Sequence, residues 1–528
     1  MKKFIKKIKS NKPLAILSVL ILGVFIALIA RITYAFLAPI INDAKTNIVV
    51  KGDTVDEFKL SVGDPIKMDA TPTTLKEDGT NYVASTTATA SLKANSTKNK
   101  ATYGYYLYFK LENNTFKYSD GSTPEIILTI TNPNGEEVTS IDGLTYGTFS
   151  GVSGFDVTTQ NGLFNIANNY QITSNSSTTA TKHDWKITLT YLNLPVDQSN
   201  NYGNSMEVSV LLQKEEIILP YHETCDATKI ACHVAKLYTG TQGENGIYYH
   251  NASLTNGAGD NSYRYAGTNP NNYVCFGSSA SPCPTDNLYR IIGVFGDKVK
   301  LIKYDYGTTD ELGTDGDYSQ TYKEWGIDST YKGTYGDGER IGVYYWNNLT
   351  SKNTWSESEL NKTNLNTNFI TNIGEEWANK IATTIWKVGG NTYANIRNVV
   401  PATTYQNEIV NPVTTNTTDN ATEYSAKIGL MYVSDYGFAA EPSAWTLTMG
   451  SYNNTTATST NWMYMGLYEW TISRYADYSY GVFNVGNTGY VGGNRADNNN
   501  GVRPSFNLES SIAYVSGSGS ASDPMVIN

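Results

Sequence analysis

Residues 473–508 read SRYADYSYGVFNVGNTGYVGGNRADNNNGVRPSFNL. Short apolar runs broken by Gly, Asn and Asp predict a hairpin, and GVRP followed by an apolar run predicts a closing C-terminal strand. The stretch contains no Cys, His, Lys or Glu. Its chemistry is that of a contact surface: Tyr offers large contact area at little rotamer cost, and Asn, Ser and Gly offer adaptable hydrogen bonding. Strand alternation directs Val482 and Val485, or Phe483 and Tyr490, toward packing. The candidate ligand-binding residues are then Tyr475, Asp477, Tyr478, Tyr480, Asn484, Asn487, Tyr490, Asn494, Arg495, Asp497, Asn498, Asn499 and Asn500. The same residue types also make ordinary hairpin tips, and that plainer interpretation stands beside the first.

Upstream, the segment EEIILPYHETC around Glu215 to Cys225 ends one pattern and opens another, so a domain is expected over 216–528. It begins with a short helix in ATKIACHVAKL, and LYRIIGVFGDKVKLIKYDY predicts a hairpin turning at Gly296-Asp297. Ser356 and Glu359 suggest a capping box. Leu365, Phe369, Ile373, Trp377 and Ile381 recur at intervals of four, with Gly374 dividing two short helices. Later strands make this an α+β domain. Its cysteines fall into two local pairs, Cys225 with Cys232 and Cys275 with Cys283, the arrangement of small disulfide loops outside the cytoplasm. A metal site from His222, Cys225, Cys232 and His233 is the competing reading, and its spacing matches no zinc pattern.

Residues 45–215 carry no cysteine, and period-two segments recur there. In YYLYFKL, Tyr105, Leu107, Phe109 and Leu111 share one face; in WKITLTYL, Trp185, Ile187, Leu189 and Tyr191 do; Met206, Val208, Val210 and Leu212 repeat the pattern. An all-β sandwich acting as a stalk is expected. Residues 1–12 hold six lysines and no acid, and an apolar run follows from Leu14 to Ala30. A cytoplasmic tail (1–12) and an N-terminal transmembrane helix as signal anchor (13–38) are expected, with cleavage after Thr33-Tyr34-Ala35 as the alternative. The overall expectation is multidomain: transmembrane helix, all-β sandwich, then α+β domain, single-pass in the cell membrane with the C-terminal portion extracellular. Removing the six lysines and Arg31 from the net charge of −10 leaves −17 for residues 32–528. A surface so acidic argues against nucleic acid as a partner.

The run from WTISRYADY to GVRPSFNL resembles the C-terminal part of the C-type-lectin-like fold, in the branch shared by formylglycine-generating enzymes and the variable proteins of diversity-generating retroelements. LYRIIGVFGDKVKLIKYD and KIGLMYVSDYGF are similar to stretches in extracellular domains of Firmicute-type surface proteins. The anchor and sandwich resemble, more distantly, camelysin and the biofilm-matrix proteins of Gram-positive bacteria. The resemblance implies a C-type-lectin-like scaffold over about 220–528 that displays one variable polar face. Its enzymatic half does not carry over, because those enzymes place copper-binding cysteines near the end of the fold and the last cysteine here is Cys283.

No other chemistry is indicated. Asp315 with Asp317, and Asp337 with Glu339, are the carboxylates calcium would use, but the twelve-residue calcium loop is absent, so a solvated acidic loop and no cofactor are expected. Glu357, Glu359, Glu375 and Glu376 sit at expected helix starts, where acids complement the dipole. No triad, P-loop or dinucleotide fingerprint occurs. The expected function is non-enzymatic: a cell-surface ligand-binding protein, adhesin or receptor-like, recognising an extracellular glycan, protein or particle. A structural protein of the envelope or matrix is the alternative, and a divergent sulfatase-modifying-type enzyme a weaker one.

Overall fold

The computed structural model describes residues 55–75, 79–412 and 421–528. The expected tail and membrane segment lie outside those residues. The described chain divides into two compact units, one ending at Ile218 and the other beginning at Leu219.

The first unit contains β1 (Glu57–Val62), β2 (Ile66–Asp69), β3 (Tyr82–Lys93), β4 (Ala101–Glu112), β5 (Ile126–Thr131), β6 (Thr145–Phe149), β7 (Val152–Asp156), β8 (Gly162–Ser174), β9 (Thr181–Tyr191) and β10 (Ser205–Gln213). They form a six-stranded sheet in the order β1-β3-β9-β5-β7-β6 and a four-stranded sheet in the order β2-β10-β4-β8. Period-two patterning becomes burial: Trp185, Ile187 and Leu189 from one sheet share a core with Tyr105, Leu107, Phe109, Val208 and Val210 from the other. One polar link crosses that core. The Trp185 indole N–H of β9 donates to the Tyr105 hydroxyl of β4 at 3.0 Å, and His183 Nδ1 lies 3.0 Å from the same hydroxyl.

The second unit contains β11 (Ile247–Tyr249), β12 (Tyr263–Tyr265), β13 (Tyr273–Cys275), β14 (Leu288–Phe295), β15 (Lys298–Lys303), β16 (Tyr318–Thr321), β17 (Gly342–Tyr345), β18 (Thr384–Lys387), β19 (Gly390–Asn391), β20 (Glu423–Ala426), β21 (Ile428–Gly429), β22 (Glu469–Tyr475), β23 (Gly481–Val485), β24 (Val491–Arg495), β25 (Asn499–Gly501), β26 (Ser505–Asn507), β27 (Tyr514–Ser516) and β28 (Val526–Ile527). One seven-stranded sheet runs β11-β12-β14-β15-β26-β21, with β13 on β14; the other runs β16-β17-β25-β22-β23-β24, with β19 on β22. β18 pairs with β20 and β27 with β28. The β14–β15 hairpin turns at Gly296-Asp297, with Gly296 at φ 63°, where a side chain is disfavoured.

The expected fold class is corrected. The described residues taken together are mostly β, six sheets with 18 % helix, and nearly all of that helix lies in the second unit, in pieces set among its sheets. Gly374, at φ 85°, ends the helical run Leu360–Ile373 and separates it from the four-residue helix Glu375–Ala378. No described helix is long and apolar enough to cross a membrane, so the described residues give the transmembrane helix of the expected fold class no support, and its segment falls outside them. The Ser356–Glu359 capping box also does not form. The Glu359 N–H is hydrogen-bonded to Asp317 and the Glu359 carboxylate accepts from Thr363 Oγ1 at 2.5 Å, so neither half of the expected pair reaches the other.

GVRP is the point where the chain passes from one seven-stranded sheet to the other, between β25 and β26. Arg503 is buried there, its Nε 2.7 Å from Glu469 Oε1 and its Nη2 2.9 Å from Oε2, and Nη2 also donates to the Met463 carbonyl at 2.7 Å. Both cysteine pairs are disulfides, Cys225–Cys232 and Cys275–Cys283. The neighbouring histidines serve packing: His222 Nδ1 lies 2.6 Å from the Tyr263 hydroxyl, and His233 stacks on Tyr514 with ring centres 3.6 Å apart.

Glu408 is buried beneath the helix Val433–Ala439, accepting from the N–H groups of Val433 and Ser434 and from Ser473 Oγ. Burial pushes its carboxyl from 4.5 up to about 7, against the pull of those bonds and with the Asp435 carboxylate adding to the rise. Asp435 is itself held by Lys300 at 2.5 Å and faces Arg264 at 3.6 Å. The folded chain therefore keeps a proton between about 4.5 and 7 that the unfolded chain gives up. The associated stability is fully present below about 4.5 and is lost as pH rises through about 7. Thermal melts across that range should show a steeper decline with pH for the wild type than for Glu408→Gln, and parallel curves would refute the assignment.

Candidate functional site

The only connection between β22 and β23 is the short loop 476–480, and it is held from below by Asn353. The Asn353 side-chain amide donates to the carbonyls of Tyr475, Tyr478 and Gly481 at 2.9, 2.8 and 2.7 Å, and its backbone N–H donates to Ser479 O at 2.7 Å. Gripped through its backbone, the loop turns its side chains outward. Tyr478 is 52 % and Tyr480 41 % exposed, with ring centres 5.9 Å apart.

β24 returns alongside β23 with Arg495 directly opposite Gly481. This brings the Arg495 guanidinium 5.0 Å over the Tyr480 ring. The same guanidinium makes a bidentate pair with Asp497, both bonds 2.8 Å long. That pair raises the Arg495 pKa and lowers that of Asp497, so both stay charged across the physiological range. Asn498 donates to the Asn494 side-chain oxygen beside them. A second loop completes the rim. The N–H groups of Trp346 and Asn347 both donate to Ala496 O at 2.9 Å, Ser351 hydrogen-bonds Asp497, and Leu349 between them is 72 % exposed.

The candidate residues separate into three groups. Asp477, Tyr478, Tyr480, Asn494, Arg495, Asp497 and Asn498 are gathered at this end of the β23–β24 hairpin. Asn487 and Tyr490 lie at its opposite end, in the turn 486–490, and do not belong to the same face. The remaining residues point into the protein. Asn484 is buried because β23 lies between β22 and β24 with both faces covered, so Val482, Phe483 and Val485 are buried along with it. Asn500 is fully buried, and neither polar atom of its side chain has a hydrogen-bond partner. Asn499 is half-buried and donates to Ser319 Oγ at 2.7 Å. The Tyr475 ring lies across Gly481 and Gly493, where any Cβ would collide with it, and packs on Tyr393 and Phe483. Leu349, Ser351 and Asn353 were not expected. They lie more than 120 residues upstream, and only the Asn/Ser/Thr-rich run NNLTSKNT hints at a loop.

Nothing at this rim resembles a catalytic constellation, and among the described residues no group of three or more His, Cys, Asp or Glu side chains is placed to hold a metal ion. Of the carboxylates considered for calcium, Asp317 accepts from the N–H groups of Asn348 and Leu360, Asp315 from the Asn368 amide, Asp337 from the Glu339 N–H, and Glu339 pairs with Lys323.

No family model matches the chain, and no curated protein does. Among the solved structures that match is a chain of the Cyanophage Pam1 capsid asymmetric unit, 18% identical over 30% of this chain and 99% of that one, with a TM-score of 0.09. That likeness carries no argument about fold or function.

Proposed function

We propose that this is an extracellular, non-enzymatic recognition protein whose ligand, a glycan, protein or particle, is contacted by the rim of Tyr478, Tyr480, Asn494, Arg495, Asp497 and Asn498. The observation that carries the proposal is the exposed Tyr478–Tyr480 pair on a loop whose backbone is fastened by one buried asparagine. Aromatic side chains held out to solvent by a rigid frame are costly to maintain without a partner, and Tyr and Arg are the residue types that dominate binding energy. The Arg495–Asp497 pair beside them keeps charged hydrogen-bonding groups in fixed positions. Two disulfides are consistent with an oxidising, extracellular setting. The resemblance to retroelement variable proteins implies the same display role.

The test compares wild type with Tyr478→Ala/Tyr480→Ala/Asn498→Ala on arrays of glycans and of extracellular proteins. Binding present in the wild type should fall by about tenfold or more, the scale of losing one hot-spot contact. The melting temperature should stay nearly constant, because surface substitutions cost about 0.5 kcal/mol or less. Equal binding by the two proteins, or a large loss of stability, would remove the rim from consideration.

A further inference from the structure

A second exposed aromatic surface lies at the other end of the β23–β24 hairpin, and the rim described above does not use it. Trp325 ends the short helix Tyr322–Trp325 and is 41 % exposed. It is the one tryptophan of the chain in the exposed class; Trp377 is half-buried and the others are buried. The Trp325 indole is stacked on Tyr322 with ring centres 5.2 Å apart and planes 18° apart, and it meets Tyr468 at 6.1 Å and 31°. The Tyr322 hydroxyl donates to the Tyr468 carbonyl at 2.6 Å, which fixes the support beneath. The Tyr468 hydroxyl is hydrogen-bonded to Tyr490. The Tyr490 ring lies flat over Gly486 and Gly492, where a Cβ would come within 2.4 and 2.7 Å of ring carbons. Trp325 and Tyr468 thus form an exposed aromatic face, with Tyr490 joined to it through the Tyr468 hydroxyl.

Polar groups border this face. Asp328, three residues beyond Trp325, accepts from the Asn487 amide at 2.6 Å. Its other oxygen is held by the N–H and hydroxyl of Thr330 at 2.9 and 2.8 Å. The Asn487 carbonyl meanwhile accepts from the Tyr464 hydroxyl at 2.5 Å, so the backbone of the turn is fixed as well as its side chain. A fixed carboxylate and amide beside a flat aromatic wall complement a molecule with one apolar face and adjacent hydroxyls. An anion would meet the Asp328 carboxylate. A quaternary cation requires rings on several sides, and the ring contacts supply a single face. We infer that the face of Trp325 and Tyr468 stacks a neutral pyranose ring whose vicinal hydroxyls are held by Asp328 and Asn487. This second site is independent of the rim in its residues.

The experiment is saturation-transfer difference NMR on the full chain with methyl β-D-glucopyranoside and methyl β-D-galactopyranoside as probes. Transfer to the ring protons is expected in the wild type and in Tyr478→Ala/Tyr480→Ala. It should fall by about tenfold in Trp325→Ala, the scale of one stacking contact, and also in Asp328→Ala/Asn487→Ala, with melting temperatures recorded for every variant. No transfer to either probe in the wild type, or undiminished transfer in a folded Trp325→Ala protein, overturns the site. Transfer lost only in the Tyr478→Ala/Tyr480→Ala protein would also overturn it, while leaving the rim proposal intact.

Discussion

Replacing Arg503 by methionine should destabilise the second unit by about 3–5 kcal/mol, the cost of leaving a buried carboxylate without its partner. Glu469 and Arg503 are each almost wholly buried, at 2 and 1 % side-chain exposure. Burial raises the Glu469 pKa, and Arg503 pulls it back toward ionisation. Burial likewise works against the Arg503 charge, but Glu469 more than offsets it and the arginine pKa ends up raised. The pair therefore exists because each member compensates the other. Glu469→Leu/Arg503→Met should recover most of the loss, since the apolar double variant removes both desolvation penalties. Denaturant melts of the four proteins give the coupling directly. Additive single effects, or an Arg503→Met protein as stable as wild type, would show that the GVRP arginine does not hold the two sheets together.

The second large effect is at Asn353. Its amide has two hydrogens and serves three carbonyls, so at least one bond is shared, and no other residue type of similar size can replace it. Asn353→Ala should cost about 2–3 kcal/mol, from the lost bonds and the carbonyls left short of donors. The loss should be local first. Hydrogen exchange should rise in peptides covering 475–481 while β14, β15 and β26 remain protected. If the rim binds a ligand, Asn353→Ala should weaken binding although it touches none, because Tyr478 and Tyr480 would no longer be held in place. Unchanged exchange in 475–481 would mean the loop is fastened by something else.

Much of the framework is written in local pattern. Alternation in YYLYFKL and WKITLTYL becomes the two facing layers of the first unit, because each sheet there has one face on the core and the side chains follow the two-residue period. Gly296-Asp297 and Gly374 act through backbone conformation alone, and local sequence carries that information. The same logic misleads in the second unit. Alternation assumes one wet face, but β23 is covered on both, so Asn484 is as buried as Val485. Asn500 fails for a related reason: an Asn-rich tract looks like a solvated turn, yet β25 inserts it between β17 and β22. The hairpin's two ends are adjacent in sequence and apart in space, which is why Tyr490 and Asn487 do not lie with Tyr478. Long-range partners such as Asn353 and Leu349 leave no periodic trace, and only the sheet order brings them to the rim.

Hydroxyl-radical footprinting of the full chain, free and bound to the strongest ligand found on the arrays, tests the rim most directly. Ligand contact there predicts protection of Tyr478, Tyr480 and Leu349, with the strands of the first unit unchanged. Protection confined to the first unit, or to Trp325 with Tyr478 and Tyr480 as reactive as in the free protein, would contradict it.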